Sequence, residues 1–504
     1  MMRTGNNADT TRHNKAIATG AVVNVLGIAG KSLFFLFFIL STRLYGVAAT
    51  GTFYLAYTMI EVAIAITVSG FGTGTLMFAS RYTDDESKES LLYQALANGF
   101  VISLLISALL VLLSRMGGPE ILLSQFPQAN LLEAVQLMAP ALPCIVVLTI
   151  VIAATKARLT MKWDAILLGF VRPGLLTLFA AILYFFDLGL TGLCWAYTFA
   201  QFVVAVIALC AFGGYFSYSK LFAHIRHFKL FKPLLTFAIP QNLNTTFGTL
   251  ITNLDVLMLG WFGHSEATVL FYGMGSQIVR NIRQVKLALS GSFAPVIARL
   301  HERGDTTELS ESFSRVTRWI TALGFPLALI VSLLRMDLLH LFDGSFSGDT
   351  TFMLLLLVPP LLSCSFGLSG NIVVMTGHSR WNLFNAVTVG VANAALNMLL
   401  IPRFGVIGAA GATAIASFLV SMLQLAEARI LAGARLIPSQ IYKPYLAILP
   451  AAGVAVFYSL FFDADGMLPA RIGVAVLCTV IFAVILILMR IDPRFKALLF
   501  FWKR

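Results

Sequence analysis

Lys162-Trp163-Asp164 leads to Gly189, Gly192, Ala196, Ala200, Phe202 and Val204, and the pattern returns as Arg380-Trp381-Asn382 leading to Gly405, Gly408, Ala412, Ala416, Phe418 and Val420. The tryptophans are offset by 218 positions and the later residues by 216, so one two-residue gap aligns the stretches. Each stretch holds two apolar runs long enough to cross a bilayer, where about 20 apolar residues make one span. The chain therefore reads as a duplicated membrane protein. Its composition agrees. Of 504 residues, 58% are hydrophobic and only 12% charged, against about 25% charged in soluble domains. Mean hydropathy is +0.86. A cytosolic enzyme, a disordered chain and a disulfide scaffold are all excluded on this balance. The net charge is nevertheless +12.

Outward from the repeat, charged and turn residues divide the chain into fourteen expected spans: 16–44, 48–79, 87–114, 131–155, 163–186, 189–216, 233–262, 266–298, 310–334, 350–376, 381–402, 405–431, 443–462 and 468–489. With the amino terminus in the cytoplasm, inside segments hold twenty-five Lys and Arg and outside loops five. That bias supports an even number of spans with both termini cytoplasmic. The repeated stretches are spans five–six and eleven–twelve, so the repeat unit is six helices and both copies share one orientation. Parallel repeats of this kind place a transporter's substrate site at their interface. The expected divisions are residues 1–217 as a first lobe, 218–232 as a basic cytoplasmic linker, 233–434 as a second lobe, and 435–504 as two further helices with a basic tail.

The five cysteines, Cys144, Cys194, Cys210, Cys364 and Cys478, lie singly in apolar runs and read as small hydrophobes. No phosphate-binding loop, HExxH or GxSxG motif occurs. No metal or cofactor is expected, and no covalent chemistry.

Lys31, Arg172, Arg280, Arg283 and Lys286 sit near the middle of spans, with the acids Glu61 and Asp255. A charge at a helix centre costs about 2.5–3.5 kcal/mol on insertion scales, so such residues mark functional sites by default. Polar stripes accompany them: Gly20, Asn24, Gly27 and Lys31; Tyr54, Tyr57, Thr58 and Glu61; Asn242, Thr245, Thr249 and Thr252; and Gln277, Arg280, Asn281, Arg283 and Gln284. Pairing of Lys31 with Glu61 or Arg280 with Asp255 is one reading. Five cations against two acids still leave a positive excess, which suits an anionic polar molecule. Arginine forks match phosphate oxygens. Gly70-Phe71-Gly72-Thr73-Gly74 and several prolines, Pro140 and Pro240 among them, offer hinges.

Phe237-Ala-Ile-Pro-Gln-Asn242, Thr252-Asn-Leu-Asp-Val-Leu-Met-Leu-Gly260, Ala294-Pro295 with Gly304-Asp305, and Leu400-Ile-Pro-Arg-Phe-Gly-Val-Ile-Gly-Ala-Ala-Gly411 resemble the Wzx-like polysaccharide (oligosaccharide) flippases of the multidrug/oligosaccharidyl-lipid/polysaccharide exporter superfamily. The resemblance is strongest from 230 to 435. It implies an all-α polytopic fold, two six-helix lobes around a central cavity with two carboxy-terminal helices added. It also implies that undecaprenyl-pyrophosphate-linked oligosaccharide, a repeat unit of O-antigen, capsule or exopolysaccharide, crosses from the inner to the outer leaflet of the bacterial cytoplasmic membrane.

On that reading Lys31, Arg172, Arg280, Arg283 and Lys286 hold pyrophosphate or acidic sugars. Gln241, Asn242, Gln277, Tyr54 and Tyr57 contact sugar hydroxyls, and Glu61 or Asp255 binds a coupling cation or orients an arginine. The drive is an H+ or Na+ gradient or the membrane potential. Expected partners are the lipid-linked glycan, membrane lipids, and the polymerase and glycosyltransferases of the pathway. No nucleic acid is expected, and the chain is expected to be a monomer. Alternatives are a lipid II flippase and a multidrug/cation antiporter. The antiporter is disfavoured by the basic excess and the span count.

Overall fold

The computed structural model describes residues 30, 33–82, 88–116, 120, 123–128, 130–158, 160–225, 230–462 and 468–489. Lys31, with the rest of its stripe at Gly20, Asn24 and Gly27, lies outside them. The described residues are helical nearly throughout, with no strand among them. Helices are what apolar solvent permits, because they satisfy every backbone N–H and C=O internally. Among the described residues eight helices are long and apolar enough to cross a membrane, and two bent pairs bring the number to ten. The chain is a multi-pass membrane protein.

The chain forms two compact units, Met1–Leu270 and Phe271–Arg504. The first contains α1 (Leu33–Tyr45), α2 (Val47–Tyr82), α3 (Glu89–Arg115), α4 (Leu131–Met138) and α5 (Ala141–Ala157). It continues with α6 (Lys162–Tyr184), then α7 (Gly189–Gly213), the short α8 (Tyr218–Ala223) and α9 (Phe231–Trp261). Leu96 and Phe100 of α3, Val146 and Ile150 of α5, and Val204, Ala208 and Phe212 of α7 form one of its cores. The pair α4 and α5 bends by 42° across Ala139 and Pro140. Proline has no N–H with which to continue the helical ladder, and its ring crowds the preceding turn.

The sequence assigns α9 to the second lobe. In the structure it packs along α2 and counts with the first unit. Phe71 and Phe78 of α2 meet Leu234 and Ala238 of α9 in an apolar seam. Small residues let the backbones close: a Cβ built on Gly70 would collide with the Ala238 carbonyl, and one on Gly74 would lie 2.8 Å from Leu234.

The second unit carries α10 (Glu266–Arg280, which begins at the end of the first unit), α11 (Arg283–Glu302), α12 (Thr306–Leu333), α13 (Arg335–His340), α14 (Thr351–Leu356), α15 (Val358–Phe366) and α16 (Leu368–Met375). α17 (Ser379–Ala432) turns back at Gly405, where φ is 55°. Its repeat partner Gly189 has φ 54°. Left-handed backbone at both matched glycines, where a side chain would be strained, is the structural counterpart of the sequence repeat.

α18 (Pro438–Phe461) and α19 (Leu468–Leu488) pack on α12 through Ala447, Ala451, Ala455, Cys478 and Phe482. Arg471 pairs with Asp337 at 3.0 Å, and Lys443 donates to the Met489 carbonyl at 2.7 Å. The connection before α18 is fastened to α12: the Arg435 and Ile437 N–H groups donate to the hydroxyls of Ser310 and Ser314. All five cysteines are free; Cys194, Cys364 and Cys478 are buried, Cys144 is half-buried and Cys210 is exposed.

Candidate functional site

In the first unit the half-buried charges Glu61 and Arg172 form a network. Glu61 lies on α2 one turn after Tyr57, whose hydroxyl donates to Glu61 Oε1 at 2.6 Å. Arg172 lies on α6 where a π-turn, Ala165–Val171, ends. Pro173 follows and cannot donate to the preceding turn, and such wide turns re-aim side chains at functional sites. With the Gln201 amide oxygen turned toward it, the Arg172 guanidinium donates from Nε at 2.8 Å and from a terminal nitrogen at 3.3 Å. Tyr57, Glu61 and the Tyr197 hydroxyl lie within its electrostatic reach. Tyr197 and Gln201 are fully buried on α7. They were not read from the sequence, though two polar residues four apart on an apolar helix signal a shared inward face.

Asn242, on α9, bridges to α2. Its Oδ1 accepts from the Gly70 N–H, and its Nδ2 donates to the Ile66 carbonyl at 3.1 Å. Residues 66 and 70 are the acceptor and donor of one helical turn, so the amide grafts onto the α2 ladder at its glycine-rich stretch. Asn242 and Tyr57, expected as sugar contacts, thus spend polar groups inside the unit. Gln241 is half-buried beside Asn242. Tyr54 and Asp255 are buried in the same unit.

The second unit carries the cations. The expected single span 266–298 is broken between α10 and α11: Asn281 and Ile282 donate to carbonyls three residues back, at 3.2 Å each, instead of four. Arg280 ends α10, Arg283 begins α11 and Lys286 follows one turn later. Gln277 is half-buried one turn before Arg280, whereas Asn281 and Gln284 are exposed. The charged or titratable neighbours that act on Arg283 are Arg280 and Cys364; those on Lys286 are Arg283 and Cys364. No carboxylate is among them. The Lys286 ammonium rests against Gly367, where a built Cβ would come within 2.8 Å of Nζ. Gly367 marks the 49° bend between α15 and α16. Three basic side chains therefore gather at two helix breaks, beside the positive end of the α11 dipole, an arrangement that attracts anions.

A third acid inside a membrane helix escaped the sequence reading. Glu427, on the second half of α17, is 9% exposed and accepts from Asn385 Nδ2 at 2.7 Å. Close to a helix end and two residues from Arg429, it resembles a loop charge. With it, the ionisable residues read inside membrane helices are five bases and three acids.

A bundle of membrane helices with charges gathered at helix breaks has the architecture of a transporter. Solved structures share the fold. The lipid II flippase MurJ in its inward closed conformation superimposes with a TM-score of 0.70 at 15% identity, covering 94% of this chain and 100% of that one. An inward-facing multidrug resistance MATE transporter of the MOP superfamily gives 0.66 at 13% identity, covering 82% and 98%. A mutant of the Vibrio cholerae MATE transporter VcmN gives 0.57 at 18% identity, covering 84% and 97%. No curated protein sequence matches the chain. The chain belongs to the polysaccharide biosynthesis protein family, whose model matches residues 17–301.

Proposed function

We propose that this protein carries an undecaprenyl-pyrophosphate-linked oligosaccharide from the inner to the outer leaflet of the bacterial cytoplasmic membrane by alternating access, with both termini in the cytoplasm. The observation that carries this reading is the Arg280–Arg283–Lys286 group. Arg283 and Lys286 have no carboxylate among the charged neighbours acting on them. Basic groups in apolar surroundings cost about 2.5–3.5 kcal/mol each on insertion scales, and a pyrophosphate offsets that cost on arrival. Guanidinium forks suit its oxygens. A cationic drug would instead be repelled, which disfavours the antiporter reading.

Arg172 and Lys31 are the cations that the first unit offers to acidic parts of the substrate. Gln241, Gln277 and Tyr54 contact the glycan, while Glu61 and Asp255 serve as charge partners. No covalent step is needed. The polymerase and glycosyltransferases of the same glycan are the proposed partners. Family membership supports the glycan class. Alanine at both Arg280 and Arg283 abolishes surface glycan while protein remains in the membrane; normal export by that variant overturns the assignment. Export measured with donors bearing different glycans, lipid II included, separates the substrates.

A further inference from the structure

Glu427 has no place in the anion-binding group. It lies between the two halves of α17, along a polar seam in which Asn393 donates to Thr413 at 3.0 Å and Asn397 to Asn393 at 2.8 Å. Glu427 is 9% exposed and its partner Asn385 is 1% exposed. Gln424, one turn before Glu427, packs over Gly370 of α16. That places this face of the half-helix inside the unit.

The charges around it are sparse. Among the described residues no Lys, Arg or His pairs with Glu427. The helices packed on α17 are α14, α15 and α16. Their one titratable side chain is Cys364, which adjoins Arg283 and Lys286. On α17 itself Arg380, Arg403 and Arg429 are exposed, and Arg429 points about 200° away around the helix. His378, just before α17, is engaged with Thr376 at 3.2 Å.

A carboxylate in this setting would be held by a single amide hydrogen bond, and an ion so placed normally neutralises itself. The amide supplies the second observation: Asn385 Oδ1 is buried and finds no hydrogen-bond donor among the described residues. One proton answers both deficits. A carboxylic acid accepts from Asn385 Nδ2 and offers its own O–H to Asn385 Oδ1, so acid and amide pair reciprocally. We propose that Glu427 and Asn385 form a proton-binding site, occupied in this conformation, which loses its proton to water when the halves of α17 part enough to admit it. Both residues lie near the ends of the half-helices that the positive-inside rule puts in the cytoplasm. The use of the site, tying lobe movement to a proton gradient, rests on the transport reading; the site itself does not.

The test is infrared spectroscopy of the purified full-length protein in lipid nanodiscs, titrated with pH, for the wild type, Glu427→Gln and Asn385→Leu. The acid carbonyl absorption present at neutral pH is expected to be missing in Glu427→Gln; in Asn385→Leu, which removes the amide partner and leaves the acid in more apolar surroundings, it is expected to shift to higher wavenumber and persist to higher pH. Glu427→Gln keeps an amide at the position, so it is expected to fold. Identical acid carbonyl absorption in the wild type and Glu427→Gln at neutral pH overturns the site. In proteoliposomes, Glu427→Gln is expected to lose the dependence of glycan export on an imposed pH gradient; an unchanged dependence overturns the coupling use alone. A wild type that exports no glycan but shows the absorption overturns the transport reading and leaves the proton site standing.

Discussion

Replacing Gly70 with alanine should prise α2 and α9 apart. The added methyl would collide with the Ala238 carbonyl and lie 2.5 Å from the Asn242 nitrogen and 2.9 Å from its Oδ1. Carbon contacts become comfortable near 3.5 Å, so α9 must retreat by about 1 Å. The Asn242 Nδ2 to Ile66 bond, now 3.1 Å, then stretches to about 4 Å, beyond hydrogen-bonding range. Overpacking costs about 1–3 kcal/mol. Two intramembrane hydrogen bonds add about 0.6 kcal/mol each, for a total of about 2–4 kcal/mol.

Asn242→Ala alone should cost only about 1 kcal/mol, because the Gly70 N–H and Ile66 carbonyl can pair with each other inside α2. The double variant should fall short of the summed costs by about 1 kcal/mol, since neighbours that share one set of contacts couple. Thermal unfolding followed by tryptophan fluorescence in nanodiscs measures all three. A Gly70→Ala protein that melts with the wild type, or costs that simply add, would refute the graft of Asn242 onto α2.

Other consequences concern separate parts of the molecule. Arg172→Lys should fail to restore the export lost in Arg172→Ala, because a lysine cannot reproduce the two-nitrogen contact with Gln201; equal export by the two cationic forms contradicts this. Gly367→Ala, whose methyl would collide with the Ser363 carbonyl and crowd the Lys286 ammonium, should shift the bend between α15 and α16 and reduce export per molecule of membrane protein, read by surface glycan normalised to immunoblot. Asp337→Asn, which breaks the 3.0 Å pair to Arg471, should cost about 1.5–3 kcal/mol and speed proteolysis near α19. Burial holds the His264 imidazole, in the turn after α9, below its ordinary range. The unfolded chain then binds the extra proton, so this stability is present above about pH 6.5 and is lost as pH falls through the lowered folded value. The melting temperature of the wild type should fall more from pH 7 to pH 5 than that of His264→Gln.

Hydropathy made the helices legible, since each span is a local property of its own residues. Some breaks were legible too: Pro140 announces the bend before α5, and the repeat ties Gly405 to Gly189. The break at Asn281–Ile282 has neither glycine nor proline. Its i→i−3 bonds arise from the packing of the whole unit, which no window on the sequence contains. The same division applies to the site. Arg172, Glu61, Arg280, Arg283 and Lys286 stand out as charges in apolar runs. Their neighbours do not, because Gln201 meets Arg172, Gly367 meets Lys286 and Asn385 meets Glu427 only after the chain has turned. Asn242 was conspicuous as a polar residue, yet its role on the α2 backbone depends on a helix far away in sequence.

On the proposed function, the cationic group binds the pyrophosphate of a lipid-linked glycan and carries it across the bilayer. The decisive measurement is translocation of undecaprenyl-pyrophosphate-linked oligosaccharide by the purified protein in proteoliposomes. Translocation is expected of the wild type, and its loss of the Arg280→Ala, Arg283→Ala double variant, with equal protein incorporated. Translocation at the wild-type rate by that variant would contradict it.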